Sequence, residues 1–155
     1  MPTALLHEIE HTRRFTSLER EALLSVERTA AVPLHRLGDT LKAHDITATQ
    51  YNVLRILRGV GAAGLSRNDI RDRLVAQVPD VTRLIDRLEE AGLVDRERSS
   101  ADRRIVTTRI TRQGRTLLDR LDEPVAESHR KQFGHMRRTQ LKLLIDLLAL
   151  VRSAP

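Results

Sequence analysis

At Gly92 the apolar period of this chain changes. Before it, Val81, Leu84, Ile85, Leu88 and Ala91 recur at helical spacing, and Pro79, Thr82, Arg83, Asp86 and Glu90 fall on the opposite face. After it, Leu93–Arg98 and Arg104–Ile110 pair as strands around the small, polar run Ser99–Arg103, with Val106, Thr108 and Ile110 on one face of the second strand. A helix that stops at a glycine and runs straight into a short hairpin belongs to a mainly helical chain with one small β-unit. No βαβ pattern accompanies it, so a parallel α/β sheet is excluded.

The flanking sequence reads as helix. From Ser17 to His44 an apolar stripe runs Leu23, Val26, Ala30, Leu34, Leu37, Leu41, with a bend expected at Pro33. Thr47 and Gln50 have capping-box spacing and open a helix through about Arg58. Ser66 opens another over Ser66–Val75, and Pro79 suits the first position of the helix that Gly92 stops. Thr111 is expected to cap a final pair of helices, bent or broken at Pro124 and near Gly134. The last, Met136–Arg152, carries Leu141, Leu143, Leu144, Ile145, Leu147 and further apolar residues on more than one side, so it needs a second covering surface. A partner subunit is the simplest supply. Residues 1–16 carry no clear period and read as a short helix or an arm.

The 155 residues suit one domain with a core of its own. The absence of cysteine excludes disulfides, thiolate zinc sites and thiol redox sensing. No apolar run approaches the roughly twenty residues a bilayer requires, and the start has no leader pattern, so a cytoplasmic protein without a membrane partner is expected. The net charge is +6, and the window Arg96–Arg115 alone holds seven arginines against Glu97 and Asp102, a surplus of five. Such concentration predicts an anionic partner for the hairpin.

The segments Ser66–Val75, Ala76–Val78 and Pro79–Ala91 read as helix, turn and helix, an arrangement that can lay its second helix in the major groove of duplex DNA. On that helix Pro79, Thr82 and Arg83 are placed to reach base edges, and Arg87 a phosphate. Ser66, Arg67, Arg71 and Arg73 on the preceding helix are candidates for the DNA backbone. At the hairpin tip Arg103 and Arg104 can enter a minor groove, where arginine reads width, and Asp102 can pair with an arginine to fix the tip. Two bland readings stand beside these: a solvated helix face balanced by Asp86 and Glu90, and a basic hairpin that meets an acidic protein. Gly59-Val-Gly61-Ala-Ala-Gly64 matches the dinucleotide fingerprint GxGxxG, but helical spacing precedes it where a strand is required, so no cofactor is expected. His7 and His11 stand four apart, and His129 and His135 lie near the last helix break; no third ligand is legible and no metal is expected. No catalytic constellation is legible either.

The ordered run VTRLIDRLEEAGLVDRERSSADRRIVTTRITRQG, residues 81–114, resembles the recognition helix and wing of the MarR family of winged-helix transcriptional regulators. The family's wing-tip Asp-x-Arg falls on Asp102 and Arg104, and its closing Ile-Thr-x-x-Gly on Ile110, Thr111 and Gly114. The resemblance covers essentially the whole chain. It implies a single MarR-type domain over 1–155, with a winged helix-turn-helix part over 47–111 (helix-turn-helix about 65–91, wing about 93–110). Helices over 17–44 and 112–152, from both termini, would form the dimerisation region. It further implies a homodimer on a pseudo-palindromic operator in double-stranded DNA, usually a repressor released by a small phenolic or anionic ligand, and not an enzyme. Without cysteine the chain is no thiol peroxide sensor, and with only Phe15, Tyr51 and Phe133 as aromatics it cannot build a stacking pocket, so the effector stays open.

Overall fold

The computed structural model describes Leu5, residues 15–98 and residues 106–153. In chain order these form α1 (Leu18–Lys42), α2 (Ala48–Val60), a 3-10 turn (Gly61–Ala63), β1 (Leu65–Ser66), α3 (Arg67–Arg73), α4 (Val81–Glu90), β2 (Val94–Arg98), β3 (Val106–Ile110), α5 (Arg112–Phe133) and α6 (Arg138–Arg152). The chain is mainly helical with a small sheet, the fold class its periodicity predicts.

Residues 1–36 and 37–155 form two compact units. In the first, α1 carries Leu18, Leu23, Val26, Val32 and Leu34 exposed, and runs without a break through Pro33. Of the expected α1 stripe, Leu41 alone is fully buried, and it lies in the second unit.

The second unit is built around one core to which α2 contributes Val53, Leu54 and Leu57, α4 Val81, Ile85 and Leu88, and α5 Leu118, Leu121 and Val125. Burying side chains of this kind is worth about 1.5–3 kcal/mol each, which explains why helices of modest length hold their places. On α2 the Thr47 hydroxyl accepts from the Gln50 N–H at 3.2 Å while the Gln50 side chain accepts from the Thr47 N–H at 2.9 Å, the reciprocal cap expected from the spacing. Against α5, Arg58 donates to both oxygens of Asp122 at 2.8 and 2.9 Å, and these bonds hold the Asp122 carboxyl below its ordinary range.

The sheet is antiparallel in the order β1-β3-β2, with β2 and β3 in register from Val94 opposite Ile110 to Arg98 opposite Val106. Leu65 and Ser66 pair with Thr108 and Thr107 as a third strand, where the sequence reading began a helix. A two-residue strand has no period of its own; its burial beside β3 creates it. Thr108 and Ile110 are buried on one face of β3, as the alternation predicts.

Thr111 caps α5, its hydroxyl accepting from the Gly114 N–H at 3.1 Å. The helix continues through Pro124 and ends at Gly134, and α6 starts at Arg138, slightly later than the expected Met136. No residue of α6 is buried, and Leu143, Ile145, Leu147, Leu150 and Val151 are each 51–67% exposed.

The hairpin docks on α5 through a close approach at Gly114. A Cβ there would lie 2.3 Å from the Leu93 carbonyl oxygen and 2.8 Å from Ile110 Cγ1. Because the first obstacle is backbone, Gly114→Ala should cost about 1–3 kcal/mol or more in a chemical denaturation series, whereas Gly59→Ala, inside α2 with a Cβ that meets nothing within 4 Å, should stabilise by about 0.4–1 kcal/mol.

Candidate nucleic-acid interface

α3 begins at a second reciprocal cap. The Asp69 N–H donates to the Ser66 hydroxyl at 3.2 Å and the Ser66 N–H to the Asp69 carboxylate at 3.3 Å. That hydroxyl lowers the Asp69 pKa, so the acid stays ionised as a capping group. The helix ends sooner than expected, at Arg73, and the connection runs from Leu74 to Asp80 where a turn over Ala76–Val78 was expected. The cause is local: Leu74 turns extended, and the Val75 N–H donates to Asn52 Oδ1 at 3.0 Å, outside the helical ladder.

α4 begins at Val81, so Pro79 precedes the helix and does not open it. Asp80 is the reason: its carboxylate accepts from the Arg83 N–H at 2.9 Å, which makes it the N-cap. A carboxylate is favoured there twice, as acceptor and as an anion at the positive end of the helix dipole. The far end closes as the apolar period predicts. Gly92 takes φ +70, its N–H donates to the Glu89 carbonyl at 2.8 Å, and the Leu93 N–H reaches the Leu88 carbonyl at 2.9 Å.

Burial divides α4 into two faces. Val81, Ile85 and Leu88 are buried, while Thr82, Arg83 and Arg87 are exposed. Arg67 of α3 reaches across to donate to the Thr82 hydroxyl at 3.3 Å, so the two helices meet at one point on the open side. Ser66, Arg67, Asn68, Thr82, Arg96 and Thr108 are among the residues around a concavity of 460 Å³ there. Of the other expected backbone contacts, Arg71 pairs with its neighbour Asp72 at 2.9 Å, and Arg73 is exposed. The side chains of Arg83 and Arg87 have no hydrogen bond or ion pair among the described residues. Asp102, Arg103 and Arg104 lie outside the described residues, as do His7 and His11.

The charge of the hairpin window is less uniform in use than its sequence suggests. Arg96 on β2 binds Asp86 of α4 at 2.8 Å and donates from Nε to Glu89 at 2.8 Å. This bond lowers the Glu89 pKa and raises that of Arg96. Arg109 on β3 binds Glu97 and donates to the Ala62 carbonyl at 2.8 Å. Two of the seven arginines are therefore internal braces. Sequence reasoning missed both, although Asp86 and Glu89 are three apart on one helix, close to an arginine beyond a tight glycine turn.

The GxGxxG stretch is the end of α2, the 3-10 turn and Gly64, followed by β1 and then α3. A Cβ on Gly64 would meet Thr107 and Arg109 side chains at 2.6 and 2.7 Å, so this glycine lets the loop pack on β3. Among the described residues no helix is long and apolar enough to cross a membrane.

Residues 46–106, from the start of α2 into the hairpin, match the model of the MarR family. The HTH-type transcriptional regulator FarR of Neisseria gonorrhoeae is 33% identical over 109 residues, 70% of this chain and 73% of FarR. This chain belongs to the MarR family. A crystal structure of a MarR transcription factor from Planctomyces limnophilus is 41% identical, covers 88% of this chain and 99% of that one, and superposes with a TM-score of 0.67. The HTH-type transcriptional repressor IacR of Pseudomonas putida is 30% identical over 111 residues, and the aligned part spans 72% of this chain and 65% of IacR. MarR-family proteins are DNA-binding regulators of transcription and not enzymes.

Asp80 sets where α4 starts and thereby where Thr82 and Arg83 project. Asp80→Ala should cost about 0.5–2 kcal/mol of stability and increase hydrogen exchange at the Arg83 amide, with the amides of Leu88 and Glu89 unchanged.

Proposed function

We propose that this MarR-family chain is a homodimeric, sequence-specific repressor that binds a pseudo-palindromic operator in double-stranded DNA and acts in the cytoplasm. The observation that carries the reading is the sorting of charge on α4. Asp86 and Glu89 are engaged by Arg96, and Arg83 and Arg87 are exposed with no hydrogen bond or ion pair among the described residues; of the α4 acids, Glu90 stays exposed. Two outward arginines on the second helix of a helix-turn-helix suit a major groove, and the pairing of Asp86 and Glu89 with Arg96 reduces the negative charge beside them. In this reading Arg83 and Thr82, with Pro79 at the rim, face base edges, Arg87 takes a phosphate, and Ser66, Arg67, Arg71 and Arg73 flank the backbone. Asp102, Arg103 and Arg104 of the wing are assigned to the minor groove from the sequence.

The domain reading follows: residues 47–111 form the DNA-binding part, and the helices over 17–44 and 112–152 the dimerisation part of one MarR-type domain. The exposed apolar residues of α1 and of α6 support it, because each set needs a covering surface. Repression is favoured by the likeness to the repressor IacR. Release by a small ligand belongs to the same reading. A groove of 660 Å³, lined in part by His44, Gln50, Leu93, Arg112 and Arg120, has the size and charge to take a small anion.

Two measurements test this function. Duplexes enriched by the purified chain from a random-sequence pool should share one palindromic motif. On them Arg83→Ala should cost about 1–3 kcal/mol per half-site and relax choice at a single base pair. Equal losses on every singly substituted duplex would make Arg83 a phosphate clamp, and no enrichment at all would return the hairpin to an acidic protein partner. Light scattering should give twice the chain mass. Leu147→Glu with Leu150→Glu, both at exposed positions, should give a monomer with an unchanged helical spectrum; a wild-type monomer would end the dimer reading.

A further inference from the structure

We propose that Arg96, on the root of the wing, is a positioning residue for DNA binding: it holds Asp86 and Glu89, two of the three acids of α4, away from the DNA-facing side. The proposal rests on the DNA-binding reading and adds a residue that the reading does not need as a contact.

At 100° per residue, Asp86 projects only about 60° around the α4 axis from Arg83, and Glu89 lies a further 60° on. Left unpaired, Asp86 would stand beside the arginines that meet the phosphates, and like charges brought together at an interface cost affinity. The geometry prevents this. One guanidinium spans both acids, Nη1 to Asp86 at 2.8 Å and Nε to Glu89 at 2.8 Å, with Nη2 also on Glu89. A lysine could not do so, because a point charge on a flexible stem lacks the fork that holds two acceptors in fixed directions.

The anchor is firm at its base. Arg96 sits in β2 opposite Thr108 of β3, which is 2% exposed, and beside Val94, which is 2% exposed. The Arg96 side chain is itself only 32% exposed, and the Asp86 and Glu89 side chains are 41% and 37% exposed. The three form a part-shielded cluster at the root of the wing. A cation thus reaches from the strand that leads into the wing to the flank of the helix that enters the groove. Arg109 does the equivalent for β3, holding Glu97 and the Ala62 carbonyl, but it touches no residue of α4.

The test uses the full chain and the duplexes that wild-type protein enriches from a random-sequence pool. Arg96→Met should bind them at least about tenfold more weakly at low salt, with the deficit shrinking as salt screens the freed acids. The deciding measurement is a cycle with Asp86→Asn plus Glu89→Gln. Adding this pair should recover affinity by about tenfold in the Arg96→Met background but change it less than about threefold when Arg96 is present, a non-additivity that simple net charge cannot produce. Equal gains in both backgrounds overturn the proposal, as does an Arg96→Met protein that binds within threefold of wild type. Should Arg96→Met alone fail to fold, the triple variant, which removes both acids that Arg96 pairs, carries the test. Binding within about threefold of wild type supports the proposal, and a tenfold deficit overturns it. Failure of the wild-type chain to enrich any duplex overturns the DNA-binding reading itself, and this proposal with it.

Discussion

Four residues at one junction hold α4, the root of the hairpin and α5 together. Gly92 and Leu93 end α4 and start the hairpin, and Thr111 and Gly114 end the hairpin and start α5. The Thr111 N–H donates to the Leu93 carbonyl at 3.1 Å and its hydroxyl to the Gly92 carbonyl at 2.7 Å. The same hydroxyl accepts from the Gly114 N–H. Gln113 adds a bond from its side chain to the Ala91 carbonyl at 3.3 Å. One threonine thus caps a long helix and ties off the end of another, with the two strands held between. The strands cannot be displaced at their root without breaking bonds that both helices use.

This junction gives the charges of the hairpin their meaning. Because β2 leaves it directly beneath the last turn of α4, Arg96 is delivered to the acidic flank of that helix. Arg109, on the neighbouring strand, is delivered to the loop after α2. Among the described residues the arginines of the window are therefore of two kinds, those that hold protein to protein and those with no hydrogen bond or ion pair to the protein. Partly shielded pairs such as Arg96 with Glu89 resist salt better than the exposed cations do. Ionic strength can then dissociate a ligand from this surface without loosening the surface itself.

The family, the main helices and the hairpin were legible because each rests on a local signal: caps at Thr47 and Thr111, the stop at Gly92, and the change of period there. What escaped the sequence depends on neighbours distant in the chain. β1 is too short to have a period and exists because β3 passes beside it. The early end of α3 depends on Asn52, which lies on another helix and captures the Val75 amide. Asp80 displaced Pro79 from the start of α4, a case in which two residues both suited a helix start and the one offering a hydrogen-bond acceptor prevailed. Of the candidate site, the outward face of α4 was legible from its angle around the axis. The pairing of Asp86 and Glu89 with Arg96 was not, because spacing alone cannot tell a solvated acid from a bridged one.

The sheet order β1-β3-β2 leaves β2 as an open edge. An open edge is a template on which a second extended chain can add by backbone hydrogen bonds, a route to aggregation that native proteins block. Here the strand reads Val94-Asp95-Arg96-Glu97-Arg98, four consecutive charged residues after a single buried one. An incoming strand would have to lie beside acids on one face of β2 and arginines on the other while stripping water from them. The edge of the sheet can therefore stay open to water without becoming a seed for strand-by-strand assembly.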